Sequence, residues 1–489
     1  MTNDFLKSPF HVPLTAPSGP SGMPLDKSID AGHVADYDDI GDINSAEHRK
    51  FNKQHEPSEP RRDPHNMAQN TQADPIAYEQ SVFQAGLHSA RPPFTFQPSR
   101  WEELAQNVLS ANSWGYIHGN AGAGQTYQKN LASFSRWSIV PKRLVPSRKD
   151  ENGNELFSDT STTVLGQKLK FPIAIAPIGV QKIFNPEGES AAAKAAASMN
   201  IPYTLSTASS TSIEDVAKAN GDGIRWYQLY WPSREHDDIT ISLLNRAKAA
   251  GYTALFVTLD TYVLGWRPSD MDNGYNPFIH ADRIGVELGF TDPVFRKKFK
   301  EKHGYEIGET TDHEPSDMGR SVSQAAQEWT KIVFPGHSHS WEDLALLRKH
   351  WDGPIVLKGI QSVGDAKKAV ESGVQGIVVS NHGGRQQDGG NSSLGVLPRI
   401  VDAVGDKLEV MFDSGIRCGA DIMKALALGA KCVFIGRPYA YGLAIGGEEG
   451  VRHVLRAMCG DLLMNMHLAG VRGLDELTRD DLVKEDELF

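Results

Sequence analysis

The chain has 489 residues, 39% of them hydrophobic, and a formal net charge of −11. That length suits one large barrel with additions, or about two to three ordinary domains, and the negative charge argues against a nucleic-acid or polyanion partner. The three cysteines, Cys418, Cys432 and Cys459, have no zinc-ligand spacing, so neither a metal site nor a disulfide framework is expected, and a reducing compartment is. Cys418, beside Arg417, reads as a bystander rather than a reactive thiol. No apolar run is long enough to span a bilayer, so no membrane partner is expected. The opening Met1-Thr-Asn-Asp-Phe lacks a basic region followed by an apolar stretch. The closing Glu487-Leu488-Phe489 is not a peroxisomal tripeptide, so a cytoplasmic location is expected.

In chain order, residues 1–95 come first. They are rich in Pro, Ser, Gly, Asp, Asn and His with few apolar runs, a composition that cannot offset its own ordering entropy and predicts a flexible, disordered N-terminal arm. The arm holds no haem-binding His-Pro-Gly-Gly stretch. Residues 96–489 then read as one domain. Trp101 to Leu109 predicts a helix with Trp101, Leu104, Val108 and Leu109 on one face. A Gly-rich turn follows from Gly115 to Gly122. Eight strands are predicted next: Pro172–Ala176, Pro202–Ser206, Arg225–Leu229, Ala254–Asp260, Ile355–Gly359, Gly376–Ser380, Glu409–Asp413 and Cys432–Gly436. Helical patterns lie between them: an Ala-rich run at Ala191–Met199, a start at Ser212, a capping box at Ser340–Asp343, and Ala420–Leu428 stopped by Gly429. Eight strands alternating with helices predict an α/β fold, a (β/α)8 TIM barrel. The connection after the fourth strand, about 268–340, is too long for a plain loop and reads as a lid insert.

In such barrels chemistry lies at the C-terminal ends of the strands. Here those ends read Gln228-Leu229-Tyr230, Thr258-Leu259-Asp260, Leu357-Lys358-Gly359, Ser380-Asn381-His382, Asp413-Ser414-Gly415 and Gly436-Arg437-Pro438. Any one of them could be a satisfied core polar residue, but convergence from so many strands on one rim is not a packing pattern. The stretch Ser380-Asn-His-Gly-Gly-Arg-Gln386 places a titratable base, His382, three residues before Arg385, a planar donor fork suited to a carboxylate. Proton abstraction from a small acid follows as an expectation. Gly415-Ile416-Arg417 and Gly436-Arg437 put glycines and arginines at helix starts, where barrels bind phosphate. Lys358 offers a fixed positive charge to an electron-accepting ring.

From about residue 100 onward the chain resembles the FMN-dependent L-2-hydroxy-acid oxidases and dehydrogenases, and the Ser-Asn-His-Gly-Gly-Arg-Gln string is that family's active-site signature. Within the family it is most similar to the lactate 2-monooxygenases, through Ala176-Pro-Ile-Gly-Val-Gln181, Leu205 to Val216, Leu264-Gly-Trp-Arg-Pro268 and Thr291-Asp-Pro-Val-Phe-Arg296. The resemblance implies bound FMN and a role for each residue. His382 would be the base, with Asp260 paired to it. Arg385, Arg267 and Tyr116 would hold the substrate carboxylate, and Tyr230 would contact the hydroxyl. Lys358 would sit near flavin N1. Ser206, Gln228 and Thr258 would bond the ring, with Ala176, Pro177 and Ile178 behind it. Ser380 is assigned to the same cofactor site. Asp413, Gly415, Arg417, Gly436 and Arg437 would hold the ribityl phosphate end. The family habit implies a homotetramer or larger homo-oligomer.

The implied reaction takes a small 2-hydroxy acid and O2. Lactate would give acetate, CO2 and water if the keto acid is retained, and a 2-keto acid and H2O2 if it escapes. Ala208 stands where glycolate oxidases carry tryptophan, which disfavours glycolate and leaves a larger substrate open. Gly179 stands where many oxidases have alanine and the monooxygenases have glycine. A non-catalytic FMN-binding sensor is the reading of another class, and the complete catalytic set speaks against it. A different FMN barrel would lack the His-Gly-Gly-Arg placement.

Overall fold

The computed structural model describes residues 74–280, 283–308 and 316–488. Up to residue 73 the expected flexible arm lies outside the described residues. Within 74–95 the structure departs from that reading, because Pro75–Gly86 is a helix, α1. Asp74 caps it, accepting from the N–H groups of Ile76 and Ala77, and Pro75 takes its first position. Its pattern is weakly amphipathic and it buries only Pro75. Tertiary anchors hold it instead: the Tyr78 hydroxyl lies 2.9 Å from His453 Nδ1, and the Arg456 guanidinium sits 4.5 Å from the Tyr78 ring centre.

Three further helices precede the barrel: α2 (Pro98–Val108), α3 (Ala111–His118) and α4 (Gln125–Phe134). The barrel strands are β1 (Ile173–Ile175), β2 (Tyr203–Ser206), β3 (Arg225–Tyr230), β4 (Leu255–Thr258), β5 (Ile355–Ile360), β6 (Gly376–Val379), β7 (Glu409–Phe412) and β8 (Val433–Ile435). They pair in parallel in sequence order, and β8 pairs with β1 to close the ring. Pro172, Pro202 and Pro354 stand just before β1, β2 and β5, where a fixed φ and a missing donor cost no ladder bond. Nearly every strand residue is buried, as a sheet covered on both faces requires. One set of side chains packs on the surrounding helices. The other set fills the barrel interior, where Trp226 stacks on Phe256 at 5.1 Å and Phe256 meets Phe434 edge-on at 5.4 Å. Val164 and Leu169, from the hairpin Thr162–Val164/Gln167–Leu169, join that inner cluster.

The crossover helices are α5 (Gly188–Ser198), α6 (Ile213–Asn220) and α7 (Asp237–Ala249) in the first half of the barrel. Ser212 caps α6 as its sequence predicts, accepting from Asp215 N–H. The connection after β4 is largely helical where described. It includes α8 (Pro293–His303) and α9 (Ser316–Val333). Asp292 caps α8 and is itself buried against α7, accepting from Ser242 Oγ at 2.7 Å. Phe295, Phe299 and Trp329 of the insert are buried and continue the core that lies between barrel and helices. After it comes α10 (Leu344–His350). Of the capping box expected at Ser340–Asp343, one half forms: Asp343 Oδ2 accepts from the N–H of Ser340, and from its hydroxyl, and the apolar helix follows at Leu344. The remaining helices are α11 (Val363–Glu371), α12 (Ser393–Val404), α13 (Gly419–Ala427) and α14 (Arg437–Leu468). Among the described residues no helix is long and apolar enough to cross a membrane.

Candidate active site

At the C-terminal rim of the barrel His382 takes φ +59, a left-handed conformation that costs a non-glycine residue energy, followed by Gly383 and Gly384 at +66 and +77. The loop is over-determined by its neighbours. Asn381 exchanges side-chain amide bonds of 2.7 and 2.8 Å with buried Asn130 and accepts from Gly384 N–H. Ser414 Oγ accepts from Gly383 N–H at 3.0 Å and donates to Asp413 at 2.7 Å. Lys358 Nζ, almost fully buried, donates to Ser380 Oγ at 3.0 Å and pairs with Asp413 at 3.3 Å. Strands β5, β6 and β7 are thus tied together by one polar chain.

His382 Nδ1 lies 2.9 Å from Asp260 Oδ1. Burial, opposed by His382, Lys358 and Thr261, leaves the Asp260 carboxyl held down at about 2, so it is ionised. Burial, with Lys358 and Arg267 nearby, keeps the His382 imidazole below its ordinary value against the pull of Asp260. A neutral imidazole backed by a carboxylate is the proton-accepting form of this pair. Thr261, which the sequence did not single out, donates to Asp260 Oδ1 at 2.8 Å and stands 3.1 Å from His382 Nδ1.

Tyr116, on α3, lies beneath two guanidiniums: Arg385 is 5.0 Å and Arg267 6.0 Å from its ring centre. Arg385 donates to the carbonyls of Gly119 and Ile117 at 2.8 and 3.3 Å. Arg267 donates to Arg385 O at 3.1 Å and to Gln386 Oε1 at 2.6 Å. Burial and then the repulsion of Arg267 pull the Arg385 guanidinium down to about 9, still protonated at neutral pH. Arg267 also pairs with Asp270 at 3.9 Å, while Arg385 meets the two carbonyls, a buried charge that a substrate carboxylate would answer. Burial raises the Tyr230 hydroxyl well above its ordinary range, so it stays a donor.

One cleft brings together Tyr116, Ala176, Pro177, Ile178, Tyr230, Arg267, Lys358, His382, Arg385, Asp413, Gly415, Arg417, Gly436 and Arg437. Ser206, Gln228 and Ser380 are fully buried behind its walls. Thr258 and Asp260 line a second hollow on the far side of β4, beside Trp231 and Trp341. Leu264, Phe278 and Phe334 also line the cleft. The two phenylalanines come from inside the insert and carry no motif that marks them as site residues. Ala208 lies under Gly179, where its carbonyl accepts from Val180 N–H. The Cys418 thiol is pushed up to about 11 by burial, which fits a bystander.

A flavin mononucleotide fits these groups. Gln228 keeps a buried amide nitrogen, Nε2, with no acceptor, as expected where a ring carbonyl belongs. A Cβ on Gly436 would only touch Ile178 and Ala176, at 3.8 and 3.9 Å, and α14 begins there with no side-chain cap, so this helix start could receive a phosphate. The Arg437 guanidinium is differently engaged. It donates to Ile117 O and Gly383 O at 3.0 Å and to Asn120 Oδ1 at 2.8 Å, so from that side chain a phosphate would receive charge rather than a free donor fork.

The profile of the FMN-dependent dehydrogenase family matches residues 105–484. The chain belongs to that family. An FMN-dependent alpha-hydroxy acid dehydrogenase of Schizosaccharomyces pombe is 60% identical over 84% of this chain and 97% of its own. An L-lactate oxidase of Lysinibacillus sphaericus is 37% identical over 81% of this chain and 95% of its own. The crystal structure of a mandelate oxidase is similar at 32% identity and a TM-score of 0.66, covering 80% of this chain and 99% of that one. This FMN-dependent dehydrogenase is accordingly an FMN-dependent 2-hydroxy-acid oxidoreductase.

One substitution probes the wall behind the ring. A Cβ on Gly179 would lie 2.6 Å from Ala208 O, a backbone atom that cannot step aside alone. Gly179→Ala is expected to cost about 1–3 kcal/mol and to loosen FMN. Thermal melting with FMN titration measures both effects, and a variant with unchanged melting and affinity would show that the β1–β2 rim yields freely.

Proposed function

We propose that this family member oxidises an L-2-hydroxy acid to its 2-keto acid with O2 as the final acceptor. The observation that carries the reading is the juxtaposition, in one cleft, of the His382–Asp260 pair with two buried arginines. Arg385, Arg267 and Tyr116 hold the carboxylate. That clamp presents the α-carbon's hydroxyl to His382 and Tyr230. His382 takes the proton on Nε2 while Asp260, on Nδ1, stabilises the imidazolium. Lys358 keeps a positive charge at the ring, since Asp413 and Asp260 hold its ammonium protonated despite burial, the largest influence on it. The keto acid forms as the Cα–H bond also breaks, and bound FMN would supply the two-electron acceptor for that hydrogen and the link to O2.

A second reading, lactate 2-monooxygenase, has the keto acid decarboxylated before release. It is supported by Gly179, and by an insert that sets Phe278 and Phe334 on the cleft wall, where a closed lid would delay product escape. Aerobic turnover of FMN-loaded protein, following O2, H2O2, keto acid and the acid one carbon shorter, tests both. Keto acid and H2O2 in equal amounts give the oxidase. The shortened acid without H2O2 gives the monooxygenase. No flavin reduction by any 2-hydroxy acid overturns the proposal and leaves the non-catalytic sensor.

A further inference from the structure

Beside the clamp, His382 and Lys358, the cleft has an aromatic wall: Tyr230 meets Phe334 at 5.1 Å between ring centres, and Phe334 meets Phe278 at 5.2 Å, both pairs tilted by nearly 60°. Leu264 completes this wall. Phe278 is 2% exposed, so its ring is fixed by packing. Phe334 follows the last turn of α9 and is only half-buried, so part of its surface remains to be covered. Phe278, Phe334 and Leu264 bring no charge or hydrogen-bonding group to the space next to the Tyr230 hydroxyl. A neighbouring hollow shares Tyr116, Leu264, Arg267 and Phe278 with the cleft and is lined further by Trp266, Asp270, Met271 and Tyr275. Trp266 is 73% and Met271 46% exposed, an apolar rim that the core does not need.

Given the 2-hydroxy-acid reading, the clamp fixes the carboxylate and the His382–Tyr230 pair fixes the hydroxyl. The remaining α-substituent is then left to the wall of Leu264, Phe278 and Phe334. A methyl group would leave most of that wall uncovered. A flat or branched apolar group would cover the exposed part of Phe334, and an aryl group could add a further ring contact to it. We propose that Phe278 and Phe334, carried by the insert, form the subsite for the α-substituent, and that this chain's substrates are 2-hydroxy acids bearing an aryl or branched-alkyl group larger than methyl. The inference rests on the oxidation reading and adds to it a substrate class and two specificity-determining residues.

The test uses the full-length FMN-loaded protein with L-lactate and L-3-phenyllactate. Each buried methylene contributes about fourfold, so kcat/KM for phenyllactate is expected to exceed that for lactate by roughly 10- to 100-fold. Phe334→Ala should shrink that ratio about tenfold, and Phe334→Leu, which keeps an apolar filling, should restore part of it. FMN content per chain reports folding of each variant. Equilibrium titration with unreactive acids, phenylacetate against acetate, followed by the flavin spectrum, reads the subsite without turnover and should show the same order. Equal or better use of lactate, or a ratio unmoved by Phe334→Ala in a variant that retains FMN, overturns the proposal while leaving the oxidation reading intact. Retained FMN with no reduction by either acid overturns both.

Discussion

His382→Gln is expected to keep its FMN and to lose about 10²- to 10⁴-fold in the rate of flavin reduction by a 2-hydroxy acid. Glutamine preserves the size of the side chain and can still meet Asp260, but it cannot accept the hydroxyl proton. Anaerobic rapid mixing checks this, and fast reduction in the variant would remove His382 as the base. The pH profile supplies an independent readout. Burial, Lys358 and Arg267 together hold the imidazole below its ordinary 6.5, so the reactive neutral form persists on the acid side of that value. In the wild type kcat/KM should rise with pH through a pKa below 6.5 and then level. Lys358→Met removes a cation that disfavours the imidazolium, so its acid limb should move to higher pH. Asp260→Asn removes the anion that favours it, so its limb should move to lower pH, under a reduced plateau. A limb that shifts the same way in both variants would mean that another group titrates.

Arg385→Lys is expected to raise the KM for the acid by about 10- to 100-fold, the equivalent of one charge-assisted bond. The guanidinium already serves the carbonyls of Ile117 and Gly119 and faces Arg267 across Tyr116. A planar fork can hold those carbonyls and still turn N–H groups to a carboxylate, whereas an ammonium on a flexible stem cannot do both. Because burial and Arg267 already make the charge on Arg385 costly, the weaker binding should come without a matching fall in melting temperature. Saturation kinetics beside thermal melting separate the two effects. An unchanged KM would take Arg385 out of the clamp.

The barrel was legible because the strands are short runs rich in β-branched and aromatic residues, most with Pro or Gly near at least one end, and tertiary packing reinforced rather than overrode that pattern. The observed ends lie within two residues of the expected ones. The polar residues were legible as strand-end exceptions to an otherwise apolar sequence: Tyr230, Asp260, Lys358, His382 and Asp413 all reach one rim. Three things were hidden, for different reasons. Helix α1 rests on Tyr78 meeting His453 and Arg456, contacts some 375 residues away in sequence that leave no periodicity behind. Phe278 and Phe334 look like any buried aromatic until the insert folds back over the barrel. Thr261 is a short polar residue after a strand, and only its position between Asp260 and His382 distinguishes it.

The Arg437 side chain joins parts of the molecule that are otherwise separate. It stands at the first position of α14 and grips the carbonyls of Ile117 and Gly383, one beside Tyr116 and the other beside His382. The helix start proposed to meet a phosphate is therefore fastened to the helix that carries Tyr116 and to the loop that carries His382. Any influence that one ligand exerts on another across that fastening must be returned in equal measure.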